Sequence, residues 1–165
     1  MYNIGEYVVY RRLNVCKIES IERNVFETNG KEYYKLVPLA KQDTGATVIY
    51  LPVEFEQGLR HILTKEQIKD YLAHMAEIKP YFVNQKKPTQ LVACYEEIIE
   101  SGDVGKYLAL FKGVLEKERT GKKKVSEIEL RYKAKVENLI VTEFAFVLNE
   151  EIGKMKEIII SRLQN

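Results

Sequence analysis

The hydrophobic period of the chain changes once, near residue 63, and that change limits the folds open to it. Upstream, apolar residues come in short runs: residues 7–10 (YVVY), 15–23 (VCKIESIER), 32–38 (EYYKLVP) and 47–53 (TVIYLPV). Each is rich in β-branched and aromatic side chains, the composition of a strand. Turn sequences separate them, RRLN at 11–14, ETNGK around Asn29 and Gly30, and KQDTG at 41–45. The Asn-Gly pair is the strongest hairpin signal among these. No connection is long enough to hold a crossover helix, so successive strands are expected to be antiparallel neighbours.

Within VCKIESI, Cys16, Ile18 and Ser20 point one way and Lys17, Glu19 and Ile21 the other. That alternation is imperfect and predicts a bulge. Four or five strands before Ile62, with Gly5 permitting a bend, favour a compact antiparallel barrel of the kind seen in SH3 and Tudor domains.

After Leu63 the period becomes helical. Thr64 with Gln67 forms a capping box, and Ile68, Tyr71, Leu72 and Met75 follow at helical spacing, so a first helix should run to about Ala76 and stop before Pro80. A second starts near Pro88 or Thr89, with Leu91, Val92, Tyr95, Ile98 and Ile99 as its apolar stripe, and ends at Ser101-Gly102. Asp103 caps a third, which carries Val104, Leu108, Phe111 and Leu115 to about Arg119. Ser126 and Glu129 make another capping box, opening a fourth helix with Ile128, Tyr132, Val136, Leu139, Ile140 and Phe144. A last short helix occupies about 150–163. The fold class expected is therefore α+β by segregated domains: residues 1–62 a β-barrel and residues 63–165 all-helical.

Composition excludes several functions. No apolar run approaches the ~18 residues of a membrane span, and the first residues, MYNIGEYVVY, lack the features of a secretory signal. A cytoplasmic location is expected. Cys16 and Cys94, the two cysteines, are read as reduced thiols rather than a disulfide. The net charge of +2 conceals an uneven distribution: residues 1–62 hold 8 basic and 8 acidic residues, whereas residues 79–135 hold 13 and 8. A surplus of that sign faces polyanions.

Catalytic chemistry is not visible. Gly121-Lys122 fails as a phosphate loop, because Glu116 and Lys123 stand where glycine and Ser or Thr are needed. His61 and His74 lack partners at zinc-ligand spacing. The pairs Glu96-Glu97 and Glu150-Glu151 are adjacent rather than opposed, as on a solvated helix face. No enzymatic activity, cofactor or metal is expected. The basic loop at 119–124 reads on composition alone as a solvated turn, and Lys86-Lys87, just ahead of a helix, as a perch for phosphate.

In order and spacing the chain resembles the CarD-like family of bacterial transcription regulators. The residues that carry the resemblance are IGEYVVY, NVCKIESIE, KEYYKLVPL, TVIYLPVE and LRHIL in the first part, then SGDV at 101–104 and VSEIELRYKAKVENLIVTEFAFV from Val125. The resemblance implies a Tudor-like domain, shared with transcription-repair coupling factor, that binds the RNA polymerase β subunit through an exposed sheet edge. The resemblance places the family's contacts on two positions, one matching Arg23 or Asn24 and the other Tyr50. At the last of these some members carry a basic residue instead. It also implies a helical domain that touches promoter DNA at the upstream edge of the transcription bubble, where well-known members wedge a tryptophan into the minor groove. This chain has no tryptophan; the matching position is Pro88, with Tyr81 and Phe82 nearby. Lys86, Lys87, Lys106, Lys112, Lys122, Lys123 and Lys124 would supply phosphate contacts that are weak and salt-sensitive without polymerase. The implied outcome is stabilisation of open promoter complexes.

Two alternatives stand beside this. One is a polymerase-bound adaptor whose helical domain recruits another protein. The other is an aromatic cage for a methylated cation formed by Tyr7, Tyr10, Tyr33 and Tyr34. Exchange of N-terminal strands into a homodimer is left open.

Overall fold

The computed structural model describes every residue except 12, 24, 27, 29, 40–47 and 85. The chain divides into two compact units, Met1–Ile62 and Leu63–Asn165, each built round its own apolar cluster.

The first unit holds five antiparallel strands: β1 (Tyr7–Tyr10), β2 (Asn14–Arg23), β3 (Glu32–Pro38), β4 (Ile49–Pro52) and β5 (Leu59–His61). Their spatial order is β4-β3-β2-β1-β5, a four-strand meander whose last strand returns to pair with β1. The turn from β1 to β2 places Asn14 at φ 76°. There its Oδ1 accepts the Val15 N–H at 3.0 Å, the local bond that lets asparagine tolerate this backbone. Ahead of β1 the chain bends at Gly5, φ +87°, whose N–H donates to the Ile18 carbonyl at 2.7 Å.

The bulge expected in β2 lies between Ile18 and Ser20: Ile18 pairs with Leu36 and Ser20 with Lys35, which leaves Glu19 as the extra residue. Since side chains alternate with period two, the insertion returns Ile21 to the face of Ile18. Both then pack on the cluster of Val8, Cys16, Tyr34, Leu36, Leu51 and Leu59. Burial pushes the Cys16 thiol up to about 12, so it is inert.

The expected barrel is not closed. Among the described residues no ladder joins β4 to β5, and both remain edges of an open sheet. A 3-10 segment, Val53–Gly58, fills the chain between them, and β5 has only three residues, all matched to β1. Side chains connect this region instead. Tyr34 OH donates to Glu56 at 2.9 Å, the Tyr2 N–H donates to Tyr34 OH at 3.0 Å, and Tyr2 OH donates to the Leu59 carbonyl at 3.2 Å.

The second unit is helical: α1 (Lys65–His74), α2 (Pro88–Ser101), α3 (Val104–Thr120), α4 (Glu127–Leu148) and α5 (Ile152–Gln164), with a 3-10 turn at Met75–Glu77. Both capping boxes form, at Thr64 with Gln67 and at Ser126 with Glu129, and Asp103 accepts the Lys106 N–H. The apolar stripes converge on one core that includes Ile68, Leu108, Phe111, Val136, Phe144 and Ile159. The Glu143 carboxylate, 1% exposed, lies at the margin of this core and accepts the Leu63 N–H at 2.8 Å. That bond fixes the first residue of the unit to α4.

Candidate functional site

In the first unit the candidate surface is β4, which among the described residues is an edge strand of the sheet. Edge strands expose backbone donors and acceptors that can pair with another strand. Tyr50 pairs in register with Lys35, and Arg23 with Glu32. Glu32 and Lys35 are three apart along β3, so Arg23 and Tyr50 fall on opposite faces of the sheet and do not form one patch. Arg23 is 73% exposed in its side chain and holds Glu32 at 2.9 Å; Asn24 lies outside the described residues.

The sequence reasoning missed Phe26. It is 67% exposed and sits edge-on to both Tyr33 and Tyr50, with ring centroids 5.4 and 5.8 Å away. An apolar pair, Val25-Phe26, within an otherwise polar turn was the available signal. The four tyrosines named for a cage do not converge as exposed rings, because Tyr33 and Tyr34 are both buried.

In the second unit the predicted cations are dispersed. Lys87 is the N-cap of α2 without a side-chain cap bond, and Pro88 is the first helical residue. Lys86, Lys87 and Pro88 are all exposed, as is Lys106 in the first turn of α3. Lys87 and Glu97, the α2 residue that shares a groove with Lys106, are ten positions apart along the helix. At 1.5 Å per residue that separates the two lysine groups by about 15 Å. Lys122, Lys123 and Lys124 are exposed in the turn between α3 and α4.

Lys112 corrects the expectation. It is 8% exposed, and its ammonium donates to the Ala76 carbonyl at 2.8 Å. It lies one turn after Leu108, on the apolar stripe itself, so the core takes its stem and a backbone carbonyl takes its charge.

A buried ion pair secures the base of the basic turn. Lys117, near the end of α3, pairs with Glu129 in the first turn of α4, and Glu129 also accepts the Ser126 N–H at 2.8 Å. Burial pushes the Glu129 carboxyl up. The bonds from Lys117 and Ser126, with the charge of Lys117, outweigh this and leave it below the ordinary carboxylate value.

Between Glu77 and Pro88 the backbone at Tyr81 lies against α3 as a strap. The Tyr81 N–H donates to the Ala109 carbonyl at 2.9 Å. A Cβ on Gly113 would stand 2.1 Å from the Tyr81 carbonyl oxygen, so only glycine admits the strap this closely. The Tyr81 and Phe82 side chains remain 45% and 50% exposed. Tyr81 lines a groove of about 300 Å³ together with Cys94, Glu97 and Ile98 of α2 and Lys106 and Ala109 of α3. Among the described residues no group of three or more His, Cys, Asp or Glu is placed to hold a metal ion, and no helix is long and apolar enough to cross a membrane.

Residues 2–63 match the family model described as CarD-like/TRCF RID domain. The N-terminal unit is a CarD-like/TRCF RID domain. It shares with transcription-repair coupling factor the RNA-polymerase-interacting domain after which that family is described. In this CarD-like domain the match runs from Tyr2 through all five strands to Leu63. Comparison with curated proteins gives no match.

Proposed function

We propose that the protein is a non-enzymatic, cytoplasmic regulator of transcription that binds the β subunit of RNA polymerase through its N-terminal unit and stabilises open promoter complexes through the helical unit. The observation that carries this reading is the match of residues 2–63 to the CarD-like/TRCF RID domain, on a sheet in which β4 is an edge strand among the described residues. Strand addition along β4 supplies backbone bonds, and the rings of Phe26 and Tyr50 supply apolar area beside it.

The DNA half of the reading rests on Lys86, Lys87, Lys106 and the turn at 122–124, which project charge without a sequence code. Tethering to polymerase raises their effective concentration at the promoter, so weak contacts suffice. A preference of ~1.4 kcal/mol for the open form shifts the closed-to-open equilibrium tenfold. The test is open-complex lifetime with cognate polymerase. Wild type should prolong it, and reversing the charge of Lys86 and Lys87 should abolish the effect without reducing polymerase binding.

A second reading, an adaptor that recruits another protein through the helical unit, is favoured by the loss of Lys112 from the surface and by the spacing of the remaining lysines. Under it, charge reversal at Lys86, Lys87, Lys122, Lys123 and Lys124 leaves promoter effects intact.

A further inference from the structure

The groove that Tyr81 lines combines features that the lysine inventory does not use. Its lining is largely apolar, with Ile98, Ala109 and Tyr81 beside Cys94, Glu97 and Lys106. Cys94, Glu97 and Ile98 share a face of α2 by their spacing of three and four, as do Lys106 and Ala109 on α3. Among the described residues the Glu97 carboxylate and the Lys106 ammonium make no ion pair or side-chain hydrogen bond. An acceptor and a cation are therefore unpaired in the lining of a largely apolar groove. Tyr81 is held in place, because its backbone is bonded to Ala109 and seated on Gly113.

We propose that this groove takes one unpaired nucleobase of a single strand, one that carries an amino group on its pairing edge. The assignment rests on the DNA-contacting reading of the helical unit and adds to it a defined site and a base preference. The ring of Tyr81 stacks on the base, as aromatic side chains do in proteins that hold single strands. Glu97 accepts from the amino group of cytosine, adenine or guanine. Thymine has no amino group and offers only its N3–H, flanked by two carbonyl oxygens that the carboxylate repels. Lys106 meets the adjoining phosphate. A partner helix would need a groove several turns long to seat its i, i+3, i+4 and i+7 residues, whereas about 300 Å³ between one tyrosine and two helices suits a single planar group.

Cys94 lies in the groove and supplies the readout. The protein has only one other cysteine, Cys16, which is buried. Binding of labelled oligo-dC, oligo-dT and a duplex is followed by anisotropy at low salt, together with the rate at which iodoacetamide alkylates Cys94 in the full chain. Oligo-dC should bind several-fold more tightly than oligo-dT and should slow alkylation of Cys94, and the duplex should leave that rate unchanged. Tyr81→Ala should weaken oligo-dC binding about tenfold, and Tyr81→Phe should restore it. Glu97→Gln should erase the preference for dC over dT while leaving duplex binding intact. Equal binding of both strands with Cys94 alkylated at its free rate overturns the base site and leaves the DNA reading standing. Failure to bind DNA in any form, with open-complex lifetime unchanged, overturns both. Protection of Cys94 by a tryptophan-bearing peptide and not by oligo-dC also overturns the base site, in favour of a protein side chain.

Discussion

Gly113 shows how one missing atom shapes the candidate surface. In an open helix interior, alanine is better than glycine by about 1 kcal/mol. Here a methyl group would meet the Tyr81 carbonyl at 2.1 Å, a backbone atom that cannot rotate away. Gly113→Ala should therefore destabilise the helical unit by about 1–3 kcal/mol in urea unfolding, and a gain in stability would show that the strap lifts off α3 without cost. Glu129 gives a residue-scale dependence on pH. Its carboxyl in the folded protein lies below the ordinary value of 4.5. The stability it contributes is thus complete above the unfolded value and is lost as pH falls through the folded one. A thermal midpoint followed down through the acid range should fall more steeply in wild type than in Glu129→Gln. Equal slopes would mean that the Lys117 pair contributes nothing.

At the scale of elements, edge strand and adjacent turn act together. Phe26 is exposed, so Phe26→Ala should change stability by less than about 1 kcal/mol, yet it should weaken polymerase binding about tenfold if the aromatic patch is an anchor. Calorimetric titration against the isolated β subunit of RNA polymerase separates the two effects. The elements themselves were largely legible where their signals are local. The capping residues Thr64, Asp103 and Ser126 stand where side-chain geometry demands them, and the bulge at Glu19 was visible as a broken alternation. What was not legible depends on distant chain. β5 is three residues long and forms only because β1 offers it an edge, and the unclosed sheet follows from a 3-10 segment that no periodicity announces. The strap over Gly113 likewise joins residues far apart in sequence, and nothing near Gly113 marks it. Lys112 is a different case. Its place on the Leu108 stripe was readable, but the carbonyl of Ala76 that accepts its charge was not.

At the scale of the molecule, the division into two units with separate cores makes the two proposed activities separable by mutation. Phe111 is fully buried in the helical core and has no part in the cluster of the β unit. Phe111→Ala should cost about 3–5 kcal/mol, a large share of what holds a domain of this size together. If the β unit alone carries affinity for polymerase, binding to the β subunit of RNA polymerase should persist at near wild-type strength in this variant, while the effect on open-complex lifetime disappears. Circular dichroism during heating should show helical signal lost well below the transition of the β unit. The converse change, Tyr34→Ala, removes a fully buried ring from the β cluster. It should abolish polymerase binding, and with it the promoter effect, because contacts that depend on tethering lose their effective concentration. Loss of polymerase binding in Phe111→Ala, with the β unit still folded, would instead show that affinity is shared between the units and that the proposed division of labour is wrong.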